Sequence, residues 1–269
     1  MPTRLATDSE SAAPILTHVK VGIIGCTGRV GKLLVQELLS GHWEGLSLAG
    51  GTVRDGIPVP ENSEFHISHD ADDLFVRSDV VIDFTNPEAT AKHVWLAAKH
   101  HKPLVIGTTG LSAVQEQELK DASKECAIVY AANMSVGVNL LLALVEDAAK
   151  RLGPEWDIEI NETHHKHKID APSGTALALG KAAQAGRGTG DFVTERQGER
   201  TKGTIGFSVQ RGGDVVGEHT VSFFGEGERI ELSHRATNRA LFARGALHAS
   251  YWVKDQAYGL YGMREVLGL

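Results

Sequence analysis

The apolar positions along the first half of the chain switch repeatedly between two periods. Residues 19–24 concentrate Val and Ile as a strand, a glycine-rich stretch breaks it, and Val30, Leu33, Leu34 and Leu38 then recur at helical spacing over 30–39. A second strand over 46–49 runs into the glycines at 50 and 51. The compact apolar run 79–84 precedes a helical pattern over 87–100, with Pro87 placed for its first turn. A short strand at 104–106, a polar-faced helix over 112–125 capped by Ser112 and a strand over 127–131 complete the series. Strands separated by helical stretches predict a parallel sheet with helices on both faces.

The pattern changes after Asn133. One long helix is predicted over 136–152, a strand over 156–162 and a helix over 176–185. Strands at 204–210, 215–224 and 228–233, joined by turns at 211–214 and 225–227, predict an antiparallel meander whose apolar face packs helices or another subunit. The segment 240–254 is helical again, and 258–269 has no strong pattern. The glycine-rich, polar segment 186–203 reads either as a loop over a site or as a merely exposed connection.

Composition narrows the classes. A chain of 269 residues, 42% hydrophobic and 23% charged, is an ordinary globular protein near the length at which one core gives way to two. With 34 acidic against 27 basic side chains the net charge is -7, which gives nucleic acid no basic face to bind. The two cysteines, Cys26 and Cys126, provide neither a disulfide framework nor a CxxC zinc spacing, so a reducing cytoplasm is expected, with Cys26 as a packing residue. No stretch approaches the roughly 18 consecutive apolar residues of a membrane span. Residues 1–18 lack the apolar segment of a secretory signal and are read as a loose arm.

Two segments carry candidate chemistry. Gly25-Cys26-Thr27-Gly28-Arg29-Val30-Gly31 follows the first strand and opens the first helix. A side chain there would block a pyrophosphate, and the free helix N–H groups face it, so a Rossmann-type dinucleotide site competes with a plain packing turn. No acid stands at the end of the second strand before Asp55. Arg54 therefore either pairs with a 2′-phosphate, favouring NADPH with NADH possible, or is a surface residue. Phe84-Thr85 and Gly107-Thr108-Thr109-Gly110 follow strand ends on the same ligand-binding edge.

The second segment, 162–175, holds three histidines and two lysines within five positions, His164 to Lys168. Such residues are costly to bury, so they form a solvated turn or a polar pocket. Zinc is disfavoured by the absence of a nearby cysteine, by a spacing unlike HExxH and by the flanking lysines. A small substrate with carboxylates fits better: cations hold the anions, a histidine delivers a proton, and the helix start after Pro172-Ser173-Gly174-Thr175 adds a second anion-binding surface.

These residues, with 132–139, 203–206, 217–220 and 263–267, resemble the motifs of the 4-hydroxy-tetrahydrodipicolinate reductase (dihydrodipicolinate reductase) family over most of the chain from 19 to 269. The resemblance implies an α/β protein: a Rossmann-type parallel sheet domain over 19–132, completed by 241–269, plus a second α/β domain over 133–240 with a mixed, largely antiparallel sheet. That second domain holds a small dicarboxylate and builds a homotetramer. His164 would be the general acid and Lys168 its catalytic companion. His165, Lys168, Gly174 and Thr175 would bind the substrate carboxylates. Gly25, Thr27, Gly28, Arg29, Val30, Gly31, Arg54, Phe84, Thr85, Gly107, Thr108, Thr109, Ala131, Ala132, Asn133 and Met134 would line the cofactor. Glu218 and His219 would belong to the sheet scaffold. Many relatives carry an acid where Val53 stands, and the connection 56–79 is shorter than in some. The competing classes are another Rossmann-type dehydrogenase with a reactive cysteine and a non-catalytic nicotinamide-binding regulator.

Overall fold

The computed structural model describes residues 18–269, so the reading of 1–17 as a loose arm lies outside the described residues. The chain runs through β1 (Val19–Ile24), α1 (Arg29–Leu39), β2 (Leu46–Thr52), β3 (Ile67–Ser68), α2 (Ala71–Arg77), β4 (Val80–Asp83), α3 (Pro87–His100), β5 (Leu104–Ile106), α4 (Ala113–Ala122) and β6 (Ala127–Tyr130). It continues through α5 (Val136–Leu152), β7 (Asp157–His164), α6 (Gly174–Arg187), β8 (Phe192–Val193), β9 (Ile205–Arg211), β10 (Gly217–Gly225) and β11 (Glu228–Ala236). The last elements are α7 (Ala240–Val253), β12 (Gly259–Tyr261) and α8 (Met263–Leu267).

Strands made of unbroken Val and Ile need cover on both faces, and the first sheet provides it. Its order is β12-β6-β5-β4-β1-β2-β3, all parallel. One face packs α1 and α7 through Leu34, Leu38, Ala246 and Leu247; the other packs α2 to α4 through Leu74, Phe75, Val94 and Leu119. The chain leaves β1 towards β2 and β3 on one side and returns to β4, β5 and β6 on the other. The β1/β4 boundary is therefore the topological switch point, where a crevice opens at the strand ends.

Three sequence expectations change here. The second strand continues to Thr52, because Gly50 and Gly51 pair with Gly22 and Ile23 rather than turning away. The connection 56–79 contains β3 and a helix, α2, capped by Asp70, whose carboxylate accepts from the amides of Asp72 and Asp73. The C-terminal segment adds β12 beside β6 and places Met263 and Val266 in the first core, although its own pattern is weak.

The second sheet has the order β11-β10-β7-β9-β8. It is mixed: β10 pairs antiparallel with β11 and β7, while β9 runs parallel to β7 and β8. The β10–β11 hairpin is as expected, but β9 and β10 are not neighbours, so the three-stranded meander does not form. β7 lies between them, its backbone paired with β10 on one side and β9 on the other, while its alternating Ile158, Ile160, Glu162 and His164 share one buried face. Beneath it, Leu141, Val145 and Ala149 of α5 and Leu179 and Ala183 of α6 close a separate core.

The segment between α6 and β9 does not stand over the histidine cluster. Arg200 donates to Asp157 at 2.6 Å and to Glu159 at 3.1 Å, and Arg196 also reaches Glu159. These anchors hold the segment at the start of β7, about 20 Å along the strand from His164.

Candidate active site

The turn after β1 is shaped by two glycines. Gly25 has φ +69, a left-handed conformation that side chains disfavour. A Cβ on Gly31 would sit 2.1 Å from the Gly25 carbonyl oxygen, so only glycine lets α1 start this close to β1. Thr27, Gly28, Arg29 and Val30 stay at least partly exposed at the helix start, leaving its amides open to an anion. Cys26 is buried and its Cβ and Sγ lie against Gly51, a packing role. At the end of β2, Thr52 and the following Val53 are buried and Arg54 is exposed.

The neighbouring strand ends meet this turn. Behind Thr85 stands a fully buried carboxylate, Asp83, which accepts from the Thr85 amide at 2.9 Å and its hydroxyl at 2.6 Å, with His93 Nδ1 at 2.8 Å. Thr108 Oγ1 accepts from the Thr85 amide and from Thr90 Oγ1, tying the β4 and β5 ends together. The Phe84 ring lies on Gly107, and Thr109 is exposed beside Gly110. After β6, Ala131, Ala132 and Asn133 lead to the buried Met134. The predicted cofactor residues thus line one edge of one sheet. A dinucleotide fits this edge: the glycines of the turn leave the first amides of α1 accessible where a pyrophosphate would lie, and small or hydroxyl-bearing residues stand at the neighbouring strand ends.

Asn133 joins this edge to the second half of the chain. Its side chain donates to Thr175 Oγ1 at 3.2 Å and accepts from the Ser135 amide at 2.9 Å, while Asn139 donates to its carbonyl. Thr175 stands in the first turn of α6, which Ser173 caps by accepting from the Ala176 amide.

The inner face of the second sheet turns from apolar to polar at the end of β7. Glu162 and His164 follow Ile158 and Ile160 on the buried side, since alternate residues of a strand share a face. The Glu162 carboxylate, wholly buried, accepts a hydrogen bond from His164 Nδ1, two from Arg211 at 2.9 and 3.0 Å, and one from the Ser173 amide at 3.0 Å. His219, in register with Glu162 on β10, packs edge-on against His164 at 5.1 Å between ring centroids, with Ser173 Oγ 3.2 Å from its Nε2.

Burial would raise the Glu162 carboxyl, but the hydrogen bonds from Arg211, His164 and Ser173 outweigh it and hold the group below the usual carboxylate range. Burial also lowers His164, opposed by its bond to Glu162 and reinforced by the charges of Lys168 and Arg211, with a net downward shift. His219 is pushed down to about 4, first by burial and then by the charge of His164.

Next to this network opens a cleft of about 820 Å³, lined by His165, His167, Gly213, Asp214, Thr237 and Arg239 among others. Lys168 lies beside His164 with its ammonium 2.8 Å from Asp170, and Gly174 is exposed at the start of α6. His165 Nδ1 is buried with no partner among the described residues. The structure thus brings His164, His165, Lys168, Gly174 and Thr175 to the same end of the second sheet.

Sequence reasoning missed Arg211, expected in a turn but the last residue of β9, and Arg239, which precedes α7. Neither belongs to a local motif. It also gave Glu162 no role, although its spacing of two from His164 on a strand places both on one face.

Glu162, His164 and His219 each offer a ligand atom within 4.8 Å of the others. Both Glu162 oxygens are already taken by Arg211, His164 and the Ser173 amide, and the guanidinium repels a cation, so the trio reads as a hydrogen-bond network. Burial raises both thiols, Cys126 to about 12, which removes the reactive thiolate that a cysteine-dependent dehydrogenase would need. Among the described residues no helix is long and apolar enough to cross a membrane.

Residues 19–134 match the family model "Dihydrodipicolinate reductase, N-terminus" and residues 137–267 match "Dihydrodipicolinate reductase, C-terminus". The 4-hydroxy-tetrahydrodipicolinate reductase of Zymomonas mobilis is 48% identical over 259 residues, covering 94% of this chain and 98% of the relative. That of Burkholderia ambifaria is 44% identical over 266 residues, 93% of this chain and 100% of the relative. A solved structure described as dipicolinate-bound dihydrodipicolinate reductase from Paenisporosarcina superposes with a TM-score of 0.78 at 25% identity, covering 92% of this chain and 98% of that one.

Proposed function

The chain belongs to the dihydrodipicolinate reductase family, and from that membership we propose how its residues divide the work. It is an NAD(P)H-dependent oxidoreductase that reduces 4-hydroxy-tetrahydrodipicolinate, with loss of water, to tetrahydrodipicolinate in diaminopimelate and lysine biosynthesis. Residues 19–132 with 241–269 bind the dinucleotide, and 133–240 bind the substrate.

When bound, the nicotinamide dinucleotide supplies the hydride. The turn Gly25, Thr27, Gly28, Arg29, Val30 and Gly31 would hold the pyrophosphate, through the amides at the start of α1 and with little side-chain bulk at its glycines. Phe84, Thr85, Gly107, Thr108 and Thr109 flank the ribose, and Ala131, Ala132, Asn133 and Met134 wall the nicotinamide. Arg54, exposed beyond a strand end that carries no acid, favours the 2′-phosphate, so NADPH is preferred and NADH accepted.

At this end of the second sheet, His165, Lys168, the Gly174 amide and Thr175 hold the two carboxylates, with Arg239 as a further cation in the wall of the neighbouring cleft. His164 delivers the proton that neutralises electron density entering the ring. Burial and the charges of Lys168 and Arg211 depress its pKa, and a dianion placed beside it raises the proton affinity again. The observation that carries this assignment is the placement of His164, bonded through Nδ1 to a buried carboxylate, within reach of the charges of Lys168 and Arg211 and one residue before His165, which lines the cleft.

The protein works as a homotetramer through the outer face of the second sheet. Polar cross-strand pairs such as Asn161–Ser208 and Thr220–Ser233 face outward there, while the helices pack on the inner face. Two buried free thiols suit the cytoplasm, where we place it. The test is a steady-state assay of nicotinamide oxidation, with substrate made in place from pyruvate and aspartate semialdehyde, run with NADPH and with NADH. Substrate-dependent oxidation with a higher kcat/KM for NADPH is expected. No oxidation by folded protein overturns the function, and an NADH preference overturns the role of Arg54.

A further inference from the structure

A histidine that gives up a proton from one ring nitrogen must keep the other nitrogen occupied, or the ring can present the wrong tautomer. We propose that Glu162 and Arg211 are positioning residues for His164: the buried carboxylate holds the Nδ1 proton, and Arg211 fixes that carboxylate, so that Nε2 is the atom that meets substrate. This deepens the proposed function and rests on its assignment of His164 as the proton donor.

The geometry supports each part. A carboxylate only accepts, so its bond to His164 assigns the proton to Nδ1. Arg211 meets Glu162 through both terminal nitrogens at 2.9 and 3.0 Å, a two-point contact that fixes the plane of the carboxylate. A further Arg211 bond, to the Asp170 carbonyl at 2.6 Å, ties the same guanidinium to the loop that carries Lys168. The Ser173 amide holds Glu162 Oε1 at 3.0 Å from the start of α6. At the far side of the ring, Nε2 has no hydrogen-bond partner among the described residues. It lies beside Gly217, where a Cβ would come within 3.0 Å of it. The side of the ring that must receive and give a proton is thus left without a protein partner, over a residue that has no side chain, and the opposite side is held from three elements.

The charged and titratable groups facing His164 are Glu162 on its own strand, Lys168 in the following loop, Arg211 from β9 and His219 from β10, with His234 of β11 facing His219. Of these only Glu162 favours the imidazolium. Its neutralisation leaves Arg211 without its carboxylate partner, and the charges of Arg211 and Lys168 then oppose protonation of His164 with nothing on the ring to offset them.

The test uses the full-length enzyme labelled with 15N-histidine, with His164 identified by the signal lost in His164→Gln. In the wild type the neutral His164 ring is expected to carry its proton on Nδ1. In Glu162→Gln that preference is lost and kcat falls about 10-fold or more, with KM within about 3-fold. The decline of kcat with rising pH also starts at lower pH. Arg211→Lys, which keeps the charge but not the two-point contact, is expected to lie between the two and covers the case in which Glu162→Gln fails to fold. A proton on Nε2 in the wild type overturns the inference, as does Glu162→Gln with unchanged kcat and pH profile or with a loss confined to KM. If Glu162→Gln is normal while His164→Gln is crippled, this inference alone fails; if His164→Gln is fully active, the donor assignment falls and takes this inference with it.

Discussion

His164 and His219 are neighbours with the same side chain, and their surroundings divide them. His164 has a carboxylate on Nδ1 that favours its charged form; His219 has burial and the charge of His164 against it. A general acid must be protonated when substrate is bound, so kcat should fall as pH rises through the pKa of His164 in the complex. Replacing His164 by Gln is expected to lower kcat about 10²-fold with little change in KM, measured by steady-state kinetics. His219 makes a prediction about stability. Its folded pKa, about 4, lies below the unfolded value near 6.5. Above that window both states are neutral and nothing is gained or lost. As pH falls from about 6.5 to about 4 the unfolded chain takes up the proton first, and stability declines by up to about 3 kcal/mol. Thermal melts across this range should show a shallower pH dependence in His219→Gln; an unchanged slope would exclude His219 as the source.

At the scale of elements, the approach of α1 to β1 decides whether the dinucleotide edge exists. A methyl group on Gly31 would overlap the Gly25 carbonyl oxygen, so Gly31→Ala must push the helix away. Overpacking of this kind costs about 1–3 kcal/mol, and the displaced helix amides no longer converge on an anion. The variant should melt several degrees lower and lose NADPH affinity, by calorimetry and by titration of cofactor fluorescence. Wild-type affinity in the variant would show that the close approach is dispensable. Most elements were legible because periodicity is local: the helices over 30–39, 87–100 and 136–152 and strands β1, β4, β5 and β6 are found where the apolar pattern places them. α2 was missed because seven residues with only Leu74 and Phe75 buried make too short a stripe. The meander failed because turn residues report where a strand ends and not which strand lies beside it.

At the scale of the molecule, Asn133 is one of the points at which the two halves meet. It donates to Thr175, proposed to hold a substrate carboxylate, and leads into Met134, proposed to wall the nicotinamide. Ordering one end therefore restrains the other, and each ligand should tighten binding of its partner. Asn133→Ala is expected to bring the affinity of a dicarboxylate analogue with cofactor close to that without it, by isothermal titration. Equal cooperativity in wild type and variant would place the coupling elsewhere.

The sequence by itself determined the α/β class, the glycine turn with its helix, and the cluster from His164 to Thr175, because each is a local pattern carried by residues close in the chain. Tertiary structure alone decided that Arg211, some 49 residues from Glu162, would fix the carboxylate behind the histidine. It also inserted β7 between β9 and β10 and anchored residues 196 and 200 to the far end of that strand. The reason is physical: strand neighbours and buried ion pairs are chosen by what satisfies a whole face at once, and that face is assembled only when distant segments pack together.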